Sequence, residues 1–221
     1  MKKQNVINIL NSWKMLGEND TFVNHLVFKD NMLVAILKPI TKYYNRIYEN
    51  LPLLIGGWRR NNPSLSQSMF HITEENTKNW VEKLVINRKD RILFMIEYFN
   101  GHYYIPVGHI GFSSFDFKNN SAELDCVLRA VEVDVKDFMK CVVLKMIDIG
   151  KNILLLDDLY LSVDINNERA INLYTKCGFR KVKIIPLFRK EKENEVRWDP
   201  DDKRNMCDAE RFSIKMKLEG R

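Results

Sequence analysis

A phenol and two carboxylates are the side chains of this sequence best suited to moving protons. Tyr174 carries a hydroxyl that is protonated at neutral pH, because a free tyrosine titrates near about 10, so it can donate to a leaving group. Glu123 and Asp125 lie in AELDCVLR (122–129), which reads as a strand; alternation with period two puts both on one side, with Leu124 and Cys126 turned to the core helices. Either carboxylate can take a proton from an ammonium substrate, directly or through water. A salt bridge or a solvated face is the competing use of the same pair. The four cysteines (Cys126, Cys141, Cys177, Cys207) and four histidines (His25, His71, His102, His109) have no metal-ligand spacing, so no metal is expected and the thiols are expected to be free.

The elements that must position these groups follow from periodicity. In NNERAINLYTKCGF (166–179) Asn166 or Asn167 can cap a short helix, and Gly178 stands where a left-handed residue would end it. LYLSV (159–163) before it and FRKVKII (179–185) after it read as strands. Upstream, 4–16 has helical spacing and 32–38 reads as the first strand. A helix then runs from about Thr41 towards Arg60, interrupted at Pro52 or at the glycine pair 56–57. Thr73 is placed to cap a helix to about Ile86. Strands at 91–98, 103–112 and 122–129 form an antiparallel meander whose first turn is Asn100 and Gly101. A buried helix over 136–150 and a last strand at 212–218 complete the order, with 188–211 as a long connection.

With 221 residues, 45% of them hydrophobic, the chain suits one domain with appendages: an accessory helix and linker over 1–31 and a main domain over 32–221. No apolar run is long enough to span a bilayer, which predicts a soluble, cytoplasmic protein. A formal net charge of +6 favours anionic partners, but the basic residues are dispersed among 29 acidic ones, which does not favour nucleic acid.

The run NxRAIxLYxKxGF after a strand resembles the acetyl-CoA-binding segment of the GNAT N-acetyltransferase superfamily. The element order from 32 to 218 is similar as well. WRRNNP, then SMFHITEEN and NW, resemble the opening of members that acetylate amino-sugar nucleotides or ribosomal-protein N-termini. The resemblance implies a mixed α/β fold, with a mainly antiparallel sheet that splays between the fourth and fifth strands (122–129 and 159–163) and helices flanking it. It implies acetyl-CoA as cosubstrate and a small-molecule primary amine as acceptor, here a nucleotide-linked sugar; a protein or peptide amine is the alternative, and a homodimer is left open. By the same resemblance Tyr174 is the acid for the CoA thiolate, and Glu123, ahead of Asp125, is the base. Val127, Leu128, Arg129 and Asn167 meet the CoA arm, Lys176 a cofactor phosphate, and Arg59, Met69, Phe70 and Trp198 wall the acceptor pocket; Lys136 and Lys140 are read from the residues as charges that could stand in for backbone contacts to the phosphates.

One segment departs from the family pattern. Members of the superfamily cradle the pyrophosphate in a glycine-spaced turn at a helix N-terminus, whereas VDVKDFMK (133–140) has no glycine and brings Asp134 and Asp137 towards phosphate. That predicts altered or weakened cofactor binding. It also supports a third reading, a fold kept as a binding or interaction module without catalysis.

Overall fold

The computed structural model describes residues 2–17, 24–62, 68–70, 72–192 and 195–220. In chain order the elements are α1 (Lys2–Lys14), β1 (His25–Lys29), β2 (Met32–Pro39), α2 (Tyr44–Ile47), α3 (Leu51–Asn61), β3 (Ser68–Phe70), α4 (Glu74–Trp80), β4 (Ile92–Phe99), β5 (Tyr104–Asp116) and β6 (Ser121–Arg129). They continue with α5 (Phe138–Asp148), β7 (Asp158–Asp164), α6 (Glu168–Lys176), β8 (Phe179–Lys192), β9 (Glu195–Asp199) and β10 (Arg211–Leu218). π-helical turns extend α4 to Ile86 and α5 to Ile153.

The strands form one sheet in the order β1-β2-β4-β5-β6-β7-β10-β8-β9-β3. Every described neighbouring pair is antiparallel except β6 with β7. A parallel pair needs a crossover, and α5 with its π-helical extension supplies it. This is the expected mixed α/β architecture.

Both faces of the sheet are covered, which is why β4 reads as an unbroken apolar run rather than an alternating one. Ile92, Phe94 and Ile96 pack with Phe138, Val142, Met146 and Tyr174 of α5 and α6, and with Val6, Leu10 and Trp13 of α1. Leu93 and Met95 pack on the other side with Leu51, Ile55 and Trp58 of α3 and with Val81 and Val85. Each fully buried side chain of this kind is worth about 1.5–3 kcal/mol. Among the described residues no helix is long and apolar enough to cross a membrane.

Several local readings change. The first strand is His25–Lys29, which pairs with β2, so the sheet starts one hairpin arm before residue 32. The helix expected from Thr41 to Arg60 is two helices; Pro52 sits in the first turn of α3, where its missing N–H costs nothing, and both glycines lie inside α3. The connection 188–211 is not a plain loop. β8 pairs with β10 through Leu187 and continues from Phe188 to Lys192 against β9, and β9 in turn pairs with β3.

The β5–β6 contact is unusually close at Gly108, where an added Cβ would lie 2.0 Å from the Leu128 carbonyl oxygen. Gly108→Ala must push the two strands apart. It is expected to lower stability by about 1–3 kcal/mol, seen as a fall of roughly 3–10 °C in thermal unfolding; an unchanged midpoint would refute this register.

Candidate active site

The parallel pair is short. β6 and β7 are in register from Ser121↔Asp158 to Leu124↔Leu161 and then separate, which is the expected splay. The Ala130 N–H donates to the Val107 carbonyl of β5. Because N–H groups alternate along a strand, the Leu128 N–H faces β5 while those of Val127 and Arg129 face the gap.

The strand is bent where the gap opens. Between the pairs Gly111↔Asp125 and His109↔Leu128, Cys126 and Val127 together oppose Ile110, a β-bulge, and Cys126 takes φ +52°. Side chains hold it. His109 Nδ1 donates to the Cys126 carbonyl at 2.7 Å, the Cys126 N–H donates to Asp125 Oδ1 at 2.7 Å, and Arg91 Nη2 lies 2.6 Å from Asp125 Oδ2 and 3.1 Å from Cys126 Sγ. The extra residue also shifts the alternation. Leu124 faces the α5 core as expected, but Cys126 packs towards the α3 side. Burial, then the charge of Asp125, pushes the Cys126 thiol up to about 12, so it stays protonated.

Tyr174 is carried by α6, close enough to Asp125 for that charge to act on it. Asn167 Oδ1 caps the helix by accepting from the Ala170 N–H at 3.1 Å, and Gly178 closes it at φ +97°. The Tyr174 ring meets Phe179 edge-on at 6.2 Å and is 7% exposed. Its hydroxyl makes no hydrogen bond among the described residues. Burial, followed by the nearby charges of Asp125 and Cys177, holds its titration well above the ordinary range, so the phenol remains a proton donor.

The two carboxylates have different surroundings. Both oxygens of Asp125 are engaged, one by Arg91 and one by the Cys126 N–H. Glu123 meets Lys215 through Oε1 alone, at 3.2 Å. It lines a cavity of about 530 Å³ together with Ser114, Asp116, Asp158 and Tyr160. Asp158 pairs with Lys217 at 2.8 Å, and Lys215 and Lys217 lie over the Tyr160 ring.

The other expected residues fall in three places. At the start of α5, Lys136 is exposed, Lys140 is half-buried and Arg129 reaches Glu132 at 3.3 Å. Asp137 there has φ +59°, so an aspartate supplies the left-handed backbone that glycine usually provides. Lys176 is exposed at the end of α6. On the far face Arg59 stacks on Trp80 at 4.9 Å, with Arg91 at 5.6 Å from the same ring. Met69 and Phe70 pair through their backbones with Val196 and Glu195; their side chains lie outside the described residues. Trp198 is buried on β9, donates to Glu210 at 3.4 Å and is covered by Arg211 at 3.7 Å, apart from the splay.

His109, Arg91 and Trp80 were not among the expected site residues. Only the bulge brings the first two onto β6, and an extra residue in a strand leaves no mark in the alternation that a single sequence can reveal.

The residues present suit an acyl thioester: backbone N–H groups of β6 point away from β5 where β6 and β7 part, and a protonated phenol lies within reach of the Asp125 charge. Among the described residues no cluster of His, Cys, Asp or Glu could hold a metal ion. The acetyltransferase (GNAT) domain family matches residues 49–180, well over half of the chain. No curated protein sequence matches. Similar solved structures include the spermidine N-acetyltransferase of Vibrio cholerae in complex with CoA and spermine, at TM-score 0.58 and 19% identity over 76% of this chain and 88% of that one. The same organism's spermidine/spermine N-acetyltransferase with manganese ions gives a TM-score of 0.56 at 17% identity over 84% and 92%. The likeness extends the shared fold beyond the matched domain. The chain is therefore a member of the GNAT acetyltransferase family, an acyltransferase whose cosubstrate is acetyl-CoA.

Proposed function

We propose that the chain transfers an acetyl group to a primary amine of a small polycationic acceptor of the polyamine class. The supporting observation is the cavity on the sheet face opposite α5 and α6, where Asp116, Glu123 and Asp158 converge. An ammonium group can replace Lys215 or Lys217 on these carboxylates without stranding a buried charge. The Vibrio cholerae relative, bound to spermine, points to the same acceptor class.

Acetyl-CoA supplies the activated acetyl group and a thiolate leaving group. In this reading the Val127 and Arg129 N–H groups bind the acyl oxygen and the adjoining arm. Glu123, whose Oε2 has no partner among the described residues, takes the ammonium proton directly or through water. Tyr174 protonates the departing sulfur, and the proton lost by the nitrogen as the amide forms restores the phenol. Asp125, with both oxygens occupied, positions the strand rather than moving protons.

At the other end of the cofactor, Lys136 and Lys140 offer charge and Asp137 opposes it. Asp137→Asn keeps a residue that tolerates positive φ while removing that opposition. Its Kd for CoA is expected to fall about fivefold at low salt and less at high salt. Titration calorimetry at two ionic strengths checks this; an unchanged Kd would place the phosphates elsewhere.

The acceptor is tested by incubating the protein with acetyl-CoA and, separately, spermidine, an amino-sugar nucleotide and an N-terminal peptide, with acetylated products read by mass spectrometry. Spermidine turnover is expected. Turnover of the sugar or the peptide alone would reject the polyamine class.

A further inference from the structure

The carbonyl of the bulged Cys126 in β6 is met by a side chain, and the ring that reaches it is not a surface residue. His109 is 5% exposed, lies on β5, and sits between Gly108 and Gly111 in a strand that approaches its neighbours closely. A carbonyl can only accept, so the 2.7 Å contact to the Cys126 oxygen requires the proton on Nδ1. Nε2 is then a lone pair, and it is buried without a partner among the described residues. The ring is neutral: burial lowers its titration to about 4. Trp58 of α3 flanks it at 6.3 Å between ring centroids.

Each polar group of Cys126 is therefore taken by a side chain: the carbonyl by His109, the N–H by Asp125, the sulfur by Arg91. Arg91 also binds Asp125, which closes the set. The residue so held is the one with positive φ, and the next residue, Val127, is the first whose N–H faces the gap. A rotation of the Cys126 peptide would turn that N–H away.

We infer that His109 is a positioning residue for acetyl transfer, fixing through Nδ1–H the bulge that aims the Val127 N–H at the thioester oxygen. The inference rests on the acetyl-transfer reading above. It assigns no proton transfer to His109, and the histidine acts on the reaction only through backbone.

Two substitutions separate this role from acid–base chemistry and from packing. In His109→Asn the side-chain amide places an N–H near where Nδ1 stood, but it cannot exchange protons. In His109→Phe the volume stays and the donor is lost. His109→Phe is expected to lower kcat roughly tenfold or more with little change in CoA affinity, and His109→Asn to keep kcat within about threefold. The infrared carbonyl band of bound acetyl-CoA should move back towards its position in water in His109→Phe alone.

That band is read without any acceptor, so a failure to find the amine substrate does not affect it. If His109→Phe does not fold, His109→Gln takes its place, because its longer side chain carries the amide past the Nδ1 position. Unchanged kcat and band in the variant lacking the donor would overturn the inference. An equal loss in His109→Asn would overturn it as well, since that would mark a role in proton transfer. A wild-type protein that transfers acetyl to no amine would count against the proposed function, while the band shift still decides for or against His109.

Discussion

Tyr174→Phe is expected to lower kcat by roughly a hundredfold or more, the usual scale for losing a general acid, while the Kd for CoA stays within about twofold. Only the oxygen is removed. Its hydroxyl has no partner among the described residues, and the ring's packing on Phe179 is retained, so folding should change little. The raised titration of the phenol, set by burial and then by Asp125 and Cys177, keeps the proton in place throughout the neutral range. Wild-type and variant turnover at saturating acetyl-CoA, with calorimetric CoA titration, check the split. A variant with full kcat would remove Tyr174 from the chemistry, and one that has lost CoA affinity would make it a binding residue.

The second large effect is loss of stability in mild acid. Burial, the largest cause, lowers His109 to about 4; the Cys126 carbonyl and Asp125 work against this, and Arg59 and Arg91 with it. His25 is also lowered to about 4, by burial and then by Lys145, with Asp148 opposing. Both rings are neutral when folded, whereas in the unfolded chain they take up protons near about 6.5. The unfolded state therefore binds more protons between these values, and stability falls as pH drops from about 6.5 towards 4. For His109 two to three pH units at about 1.4 kcal/mol each amount to on the order of 3 kcal/mol. His25, partly exposed, adds less. Urea unfolding at pH 7.5, 5.5 and 4.5 should show the decline, and His109→Asn should flatten most of it. Equal stability at all three pH values would mean that neither ring is held neutral.

The parts of the fold written in local chemistry were readable in advance. Thr73 accepts from the Asn76 N–H and Asn167 from the Ala170 N–H, both as their positions before helical stretches predict. Gly178 takes the left-handed conformation that its place after α6 demands. The meander follows from strand patterns and turn residues, whereas the splay is expected only through the resemblance of 166–179 to the family.

What escaped depends on contacts that composition hides. HLVFK (25–29) is too short to declare itself, and only pairing with β2 makes it a strand. RKEKENEVRWD (189–199) is so charged that it reads as a solvated loop, yet 189–192 and 195–199 pair, with Trp198 buried under Arg211 while Arg189, Lys190, Glu191 and Arg197 stay exposed. The bulge at Cys126 reverses the facing of one side chain and gathers His109, Arg91 and Asp125. Both oxygens of Asp125 are held there, whereas Glu123, already preferred as the base, is met through one oxygen among the described residues.

The central claim is that the thioester lies in the gap past Leu124 and Leu161, on the outward N–H groups of β6. Residue-resolved amide hydrogen exchange with and without saturating acetyl-CoA tests it most directly. Exchange at Val127 and Arg129 should slow markedly on binding, while Leu128, whose N–H faces β5, should change little. Bound acetyl-CoA that leaves Val127 and Arg129 exchanging at their free rates would contradict the account.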